Sequence, residues 1–256
     1  MALFPDFARP LMSGVNVKTP ISMLGGEAYR LTLYPDLGRD DRSVLVIGMT
    51  LQFQFEAADN GLKWFASEQR KFVDGSIGAI KSVWDDKWRI TTTSTAPQRR
   101  LRDVGVMFAL KTYTDGWHAD DDFEITVKKV PPGTADEGVT QYRKGNASMN
   151  STGLDALDRG GPTTQRAMVH EFGHMLGLND EYDTQPTFLD NLRQEPNRSW
   201  LSDQNSIMNV GERVRQRHYV PFATWLTQQL ATVAKLTTTS VAYKVDGIWD
   251  ATNAQL

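Results

Sequence analysis

The sequence predicts an α+β fold in a single domain, with a twisted mixed β-sheet, a long helix behind it, a shorter helix that carries two histidines, and a C-terminal helix. The length of 256 residues, with 40% hydrophobic and 23% charged residues, is typical of one globular domain with a full core. Segments with the apolar pattern of a strand lie before and between segments with helical spacing of apolar residues. No internal repeat or low-complexity linker divides the chain.

The first part of the chain predicts most of the sheet. Residues 1–42 are rich in Pro, Gly and Asp, and they are expected to form an N-terminal extension with one strand around Tyr29 to Tyr34. Ser43 to Glu56 begins as a continuous apolar run and ends in strict alternation, which indicates a strand. An apolar stripe at helical spacing predicts a long helix from about Leu62 to Trp84. Three more strands are expected at Trp88 to Thr93, Asp103 to Thr114 and Phe123 to Val130.

The rest of the chain predicts fewer strands and two helices. Gly145 to Leu154 is expected to form a short strand or an ordered loop. A helix should begin after Pro162 or Thr163, and a final helix should span about Pro221 to Val233. The domain therefore divides into a mainly sheet part with one long helix at 43–160 and a mainly helical part at 161–256.

Charge and composition narrow the class of partner. The formal net charge is −3, so electrostatics gives no reason to expect nucleic acid or an anionic membrane. A membrane-spanning helix needs about 18 consecutive apolar residues, and no stretch of the chain approaches that number. The first residues lack the pattern of a secretory signal. The chain has no cysteine, which excludes disulfides and cysteine-ligated zinc. We therefore expect no nucleic-acid partner, no membrane insertion, and either a cytoplasmic location or export by a signal-independent system.

The segment from His170 to Asp180 carries the chemistry. It reads His-Glu-Phe-Gly-His-Met-Leu-Gly-Leu-Asn-Asp. Residues four apart share one face of a helix, so the imidazoles of His170 and His174 can bind one zinc ion. Glu171 can reach a water on that ion and take its proton, as the general base of a metallopeptidase does.

A third metal ligand is expected just after this helix. Gly177 supplies the left-handed turn that ends a helix, and Asp180 follows three residues later. The chain has only four histidines, so a third imidazole would have to come from His118 or His218. The preferred ligand is Asp180, and the alternatives that stay open are His218, Glu181 and Glu195.

These residues resemble the extended zinc motif of the metzincin metallopeptidases, in the form where aspartate replaces the third histidine. Ser206-Ile207-Met208-Asn209 is similar to the Met-turn of that family, in which a methionine forms an apolar floor beneath the metal. Several metzincin groups carry a tyrosine two residues after this methionine to stabilise the transition state, but here the position is Val210. Candidates for that role are Tyr182, His218 and Tyr219. The resemblance covers residues 170–210 and implies a metzincin-like catalytic domain.

The motif and the resemblance together predict a zinc-dependent endopeptidase with one catalytic zinc ion. Zinc would be held by His170, His174 and Asp180, with Glu171 as general base. The alternative is a catalytically silent binding or structural protein of the same fold, against which the presence of Glu171 argues. Expected partners are a protein or peptide substrate and an inhibitor or immunity protein. A neutralising immunity protein is expected if the chain is a toxin-like effector of a bacterial contractile injection system rather than a housekeeping protease.

Overall fold

In the part of the chain that the structure describes, a mixed β-sheet and three α-helices enclose one hydrophobic core, which agrees with the predicted α+β class. The computed structural model describes residues 11–17, 27–36, 41–57, 61–95, 97, 99–116, 118, 121–135, 138–141, 144–160, 162–182, 200–235 and 237–248. Among these residues, no helix has the length and apolar character needed to cross a bilayer.

The sheet has nine strands within the described part of the chain. They are β1 (Met12–Val17), β2 (Glu27–Pro35), β3 (Ser43–Glu56), β4 (Trp88–Thr91), β5 (Asp103–Tyr113), β6 (Phe123–Lys128), β7 (Val139–Gln141), β8 (Asn146–Asn150) and β11 (Lys244–Ile248). Two short strands, β9 (Leu157–Asp158) and β10 (Thr164–Gln165), pair with each other. The helices are α1 (Ala66–Trp84), α2 (Ala167–Met175) and α3 (Val220–Ala234).

The long strand β3 organises the sheet. Strand β5 runs parallel along one side of it, whereas the other side is shared between β2, which is antiparallel to its first half, and β6, which is parallel to its second half. The main path is β11-β4-β5-β3-β6-β8-β7, with β1 and β2 branching from β3. Strand β7 ends this path and is antiparallel to β8, so it is an edge strand of the described sheet.

The core supports the histidine helix α2 from behind. Every residue of β3 from Ser43 to Phe53 is buried, as its apolar run predicts. Helix α1 buries Phe72, Ile80 and Trp84. The Trp84 indole donates a hydrogen bond to the Val169 carbonyl oxygen at 3.0 Å, so the C-terminal end of α1 is fixed against α2.

Some predicted boundaries are confirmed and others shift. The bounds of β3 are those predicted, and α3 differs by one residue at each end. Helix α1 begins at Ala66 rather than Leu62, because the Glu68 carboxylate accepts the N–H of Phe65 at 2.9 Å and so caps the helix there. Helix α2 begins at Ala167 rather than soon after Pro162, because Thr164 and Gln165 pair with β9.

The strand predicted around Tyr29 to Tyr34 is confirmed as β2, but its partner β1 and the later strand β11 were not predicted. Within residues 1–42, expected as an extension, β1 pairs with β2, and β2 pairs with β3 over Arg30 to Pro35. Strand β11, beyond the last predicted helix, pairs with β4. The three-residue strand β7 was not predicted either.

Candidate metal centre

Helix α2 brings both histidines of the motif to one point. His170 and His174 lie one turn apart, and the ligand atoms of His170, Glu171 and His174 all lie within 4.8 Å of one another. Their rings meet edge to face, with centroids 4.9 Å apart. The helical spacing thus places these three predicted residues together, in an arrangement that could hold a metal ion.

Asp180 joins them after a glycine turn. Gly177 has φ +84°, and the N–H of Leu178 reaches back to the Gly173 carbonyl at 3.1 Å, which ends the helix as predicted. The Asp180 carboxylate then lies 3.1 Å from Nε2 of His170 and 3.2 Å from Nε2 of His174, through the same oxygen, Oδ1.

The other nitrogen of each imidazole, Nδ1, is hydrogen-bonded to a backbone carbonyl oxygen. Nδ1 of His170 lies 2.7 Å from the Ile207 carbonyl oxygen, and Nδ1 of His174 lies 2.8 Å from the Leu178 carbonyl oxygen. A carbonyl oxygen only accepts hydrogen bonds, so both Nδ1 atoms carry the hydrogen and both neutral imidazoles present a lone pair at Nε2. Such backbone contacts are typical of histidines that bind metals.

The three atoms that meet here, Asp180 Oδ1 and the Nε2 atoms of His170 and His174, are therefore all hydrogen-bond acceptors when the imidazoles are neutral. Such a group of acceptor atoms is stabilised by a cation among them, which a metal ion would supply. A tetrahedral zinc site with bonds of about 2.0–2.1 Å separates its ligand atoms by about 3.3 Å. The measured 3.1 and 3.2 Å are close to that value, so the residues fit a zinc ion.

Without a metal, protons would take this place. Burial alone would lower the pKa of His174, but its hydrogen bond to Asp180 and the charges of Asp180 and Glu171 outweigh burial and raise that pKa to about 9. Burial would raise the pKa of Asp180, yet hydrogen bonds from both histidines lower it well below its usual range. The cluster therefore favours bound positive charge.

Glu171 is buried beside the histidines but does not share their contacts. It is 3% exposed, and its Oε2 atom is buried with no hydrogen-bond partner among the described residues. Gly138, just before β7, passes so close that a Cβ there would lie 2.8 Å from Cγ and 2.9 Å from Oε1 of Glu171. A buried carboxylate oxygen with no partner is costly unless it serves chemistry.

Met208 packs directly against α2. It is fully buried, and a Cβ on Gly173 would collide with its sulfur atom. This contact gives the packing reason for a glycine inside the helix. Because Gly173 lies between the two histidines on α2, the predicted Met-turn methionine lies against the helix at the level of the candidate site.

Two residues that the sequence interpretation did not single out connect α2 to this turn. Nε2 of Gln165 donates towards the carbonyl oxygens of Ile207, Asn209 and Gly211, at 3.1, 2.8 and 2.8 Å. The Glu212 carboxylate accepts hydrogen bonds from the backbone and guanidinium of Arg166, the residue preceding α2, at 2.7 to 2.8 Å. No local pattern could have identified them, because their partners lie about 40 residues away in sequence.

The three candidates for transition-state stabilisation lie in different places. Tyr182 is at the site: its ring stacks on that of His170 at 6.3 Å, and half of the residue is exposed. Burial and the neighbouring Asp180, to which its hydroxyl is hydrogen-bonded, raise the pKa of Tyr182 well above its usual value. Tyr219 is fully buried, and its hydroxyl donates to the Trp84 carbonyl oxygen.

His218 is occupied by other partners as well. Its Nε2 lies 3.1 Å from Oε1 of Glu181, and its Nδ1 accepts the N–H of Arg215 at 3.1 Å. Burial is the main reason that the pKa of His218 is lowered. The structure thus gives neither His218 nor Tyr219 a free polar atom for substrate. It pairs His218 and Glu181 with each other rather than with the two histidines of α2. Glu195, the remaining alternative ligand, lies outside the described residues.

Comparison with protein-family models, with curated proteins and with solved structures gave no match. The resemblance to the metzincins therefore stays a prediction carried by residues 170–210. The convergence of His170, His174 and Asp180 is an observation of this chain alone.

Proposed function

We propose that the chain is a zinc-dependent endopeptidase. The observation that carries the proposal is the convergence of His170 Nε2, His174 Nε2 and Asp180 Oδ1, while a backbone carbonyl oxygen holds the Nδ1 atom of each histidine. Two histidines and one carboxylate form a ligand set that leaves a fourth position open, which is the pattern of catalytic rather than structural zinc. A bound zinc ion supplies a Lewis acid for the scissile carbonyl and an acidified water.

Glu171 provides the proton transfer. Its unpartnered Oε2 atom accepts a proton from the attacking water, and the resulting carboxylic acid then donates that proton to the nitrogen of the leaving amine. A buried, unpaired carboxylate would serve no purpose in a silent binding protein, which argues against that alternative.

Strand β7 is the proposed support for the substrate. It is an edge strand, it contacts α2, and Val139 and Gln141 are exposed while Thr140 hydrogen-bonds to the Glu171 carbonyl oxygen at 3.4 Å. An extended peptide can add to such an edge through main-chain hydrogen bonds. Because Gly138 lies against Glu171, a peptide along β7 would pass beside the general base.

The test compares zinc content and cleavage of unfolded casein, with and without a chelator. We expect one zinc per chain and cleavage that the chelator abolishes. Glu171→Gln should retain zinc and lose turnover by about 10² to 10⁴-fold. The control is Glu68→Gln, a carboxylate that caps α1 far along the chain, which should keep the parent turnover. Parent-like turnover in Glu171→Gln at equal zinc content would overturn the proposal.

A further inference from the structure

A cluster of charged side chains, with Glu181 buried and its partners half-buried, lies directly beside the third candidate ligand, and the proposed reaction does not use it. Glu181, the residue after Asp180, has both carboxylate oxygens on Arg217, each at 2.6 Å. Arg217 also donates to Asp203 at 2.7 Å, and Asp203 accepts a second hydrogen bond from Arg215 at 2.5 Å. We call these four residues the charge cluster.

Glu181 is held through both its backbone and its side chain. Its N–H donates to the Met208 carbonyl oxygen at 2.7 Å, and its side chain is only 6% exposed. The segment from Leu178 to Asp180 lies outside helices and strands, so it has no repeating hydrogen bonds of its own. The direction of the Asp180 side chain therefore depends on how its neighbour Glu181 is anchored.

Arg217 can hold the Glu181 carboxylate in one orientation. Its planar guanidinium meets the Glu181 carboxylate through two parallel hydrogen bonds, a geometry that lysine cannot reproduce. The guanidinium is also stacked over the Trp200 ring at 4.2 Å. Arg217 lies in the short 3-10 helix Gln216–Tyr219 that leads into α3, so the anchor connects Asp180 to the C-terminal helix.

The ion pair of Arg217 and Glu181 by itself adds little to the stability of the fold. Removing two charges from water costs about as much as their attraction returns, and apolar residues of similar size often replace a buried ion pair without loss. The bidentate geometry does, however, fix position and angle, as the residues around metal ligands commonly do.

We propose that Arg217 is a positioning residue that, through Glu181, holds Asp180 at the metal. This inference rests on the proposed function, since it takes Asp180 as a metal ligand. It predicts that removing the ion pair weakens zinc binding even where the fold survives, and that geometry matters as well as charge.

The decisive variant replaces the whole pair, Arg217→Met with Glu181→Met, so that no unpaired charge stays buried. We expect its metal-free form to stay folded, with a lower urea midpoint because buried His218 loses its Glu181 acceptor, while its zinc Kd, measured by competition with a chelating dye, rises about 10- to 100-fold. Arg217→Lys, which keeps the charge but loses the second parallel hydrogen bond, should give an intermediate Kd.

The matched control is Arg89 with Asp103, a second bidentate arginine–carboxylate pair, which joins β4 to β5. Replacing both by methionine should leave the zinc Kd unchanged. A folded Arg217→Met/Glu181→Met protein with the parent Kd overturns the inference but leaves the proposed function intact. A parent protein that binds no zinc overturns both.

Discussion

The sulfur atom of Met208 occupies the space that a side chain at Gly173 would need. A Cβ at Gly173 would also lie 3.1 Å from Cε of Met208 and 3.2 Å from Cζ2 of Trp84. Glycine inside a helix costs about 1 kcal/mol relative to alanine. Its presence here is therefore explained by close packing between α2 and the turn that carries Met208.

Gly173→Ala should accordingly destabilise the protein, although alanine is the better helix former. We expect the free energy of unfolding of the metal-free protein to fall by about 1–3 kcal/mol, the usual effect of overpacking a core. Gly78→Ala in α1 is the control, because nothing lies within 4 Å of a Cβ there, and it should gain up to about 1 kcal/mol. Equal stability of the two variants in urea unfolding would contradict the proposed packing.

Gly138 should matter for catalysis rather than for metal binding. A Cβ at this position would press on Cγ and Oε1 of Glu171, so Gly138→Ala should displace the general base. We expect kcat to fall about 10- to 100-fold, as small misplacements of catalytic groups cause, at unchanged zinc content. Gly78→Ala should keep the parent kcat. Loss of zinc in Gly138→Ala would show that the contact serves the ligands instead.

The two tyrosine candidates can be separated by removing only a hydroxyl. Tyr182→Phe keeps the ring stacked on His170, and if the hydroxyl donates to the developing oxyanion, kcat should fall about 10²-fold with little change in KM. Tyr219→Phe loses the hydrogen bond to the Trp84 carbonyl oxygen, so it should lose about 1 kcal/mol of stability but no turnover per zinc. The reverse pattern would assign the role to Tyr219.

Asp180→Ala tests the third ligand directly. Loss of a carboxylate in contact with both Nε2 atoms should leave the purified protein largely free of zinc, whereas Asp180→His should retain some, because imidazole is also a zinc ligand. Asp155→Ala, an exposed carboxylate before α2, is the control and should bind zinc like the parent. Zinc-replete Asp180→Ala would require a different third ligand.

The metal-free protein should lose stability in alkaline solution. The pKa of His174 is raised in the folded state to about 9 from an unfolded value of 6.5, so its protonated form stabilises the fold fully below pH 6.5, and this contribution disappears as the pH rises through 9. The loss should be on the order of 2–3 kcal/mol between pH 6.5 and 9.5. Urea unfolding in the presence of a chelator measures it, and His174→Gln should abolish the difference.

The sequence predicted those parts of the molecule whose cause is local. The apolar run of β3 and the four-residue spacing of His170 and His174 are visible in the sequence itself, and the structure has the expected strand and the expected shared helix face there. The predicted start of α1 was wrong. Trp64 lies within the segment predicted as helix, but its ring packs on that of Phe55 near the end of β3, with centroids 4.8 Å apart.

The parts that could not be predicted depend on distant partners. Strand β7 has only three residues, too few for an alternation to be recognised, and β11 becomes a strand by pairing with β4. Gln165 and Arg217 are ordinary polar residues in the sequence. Their partners Gly211 and Glu181 lie 46 and 36 positions away, so only the folded chain reveals what they do.

The separation of Glu181 from Arg217 also sets an order of events during synthesis. The two histidines of α2 are neighbours and emerge together, but the arginine follows Glu181 by 36 positions. At a translation rate of roughly 5–20 residues per second, that gap lasts about 2 to 7 s. A nascent chain in this interval carries the whole His170 to Asp180 motif but lacks the Arg217 guanidinium and, for the first part of the interval, Met208 as well. On the proposed function and the inferred role of Arg217, the zinc site of newly made protein therefore reaches its full affinity only after Arg217 has been translated and has paired with Glu181.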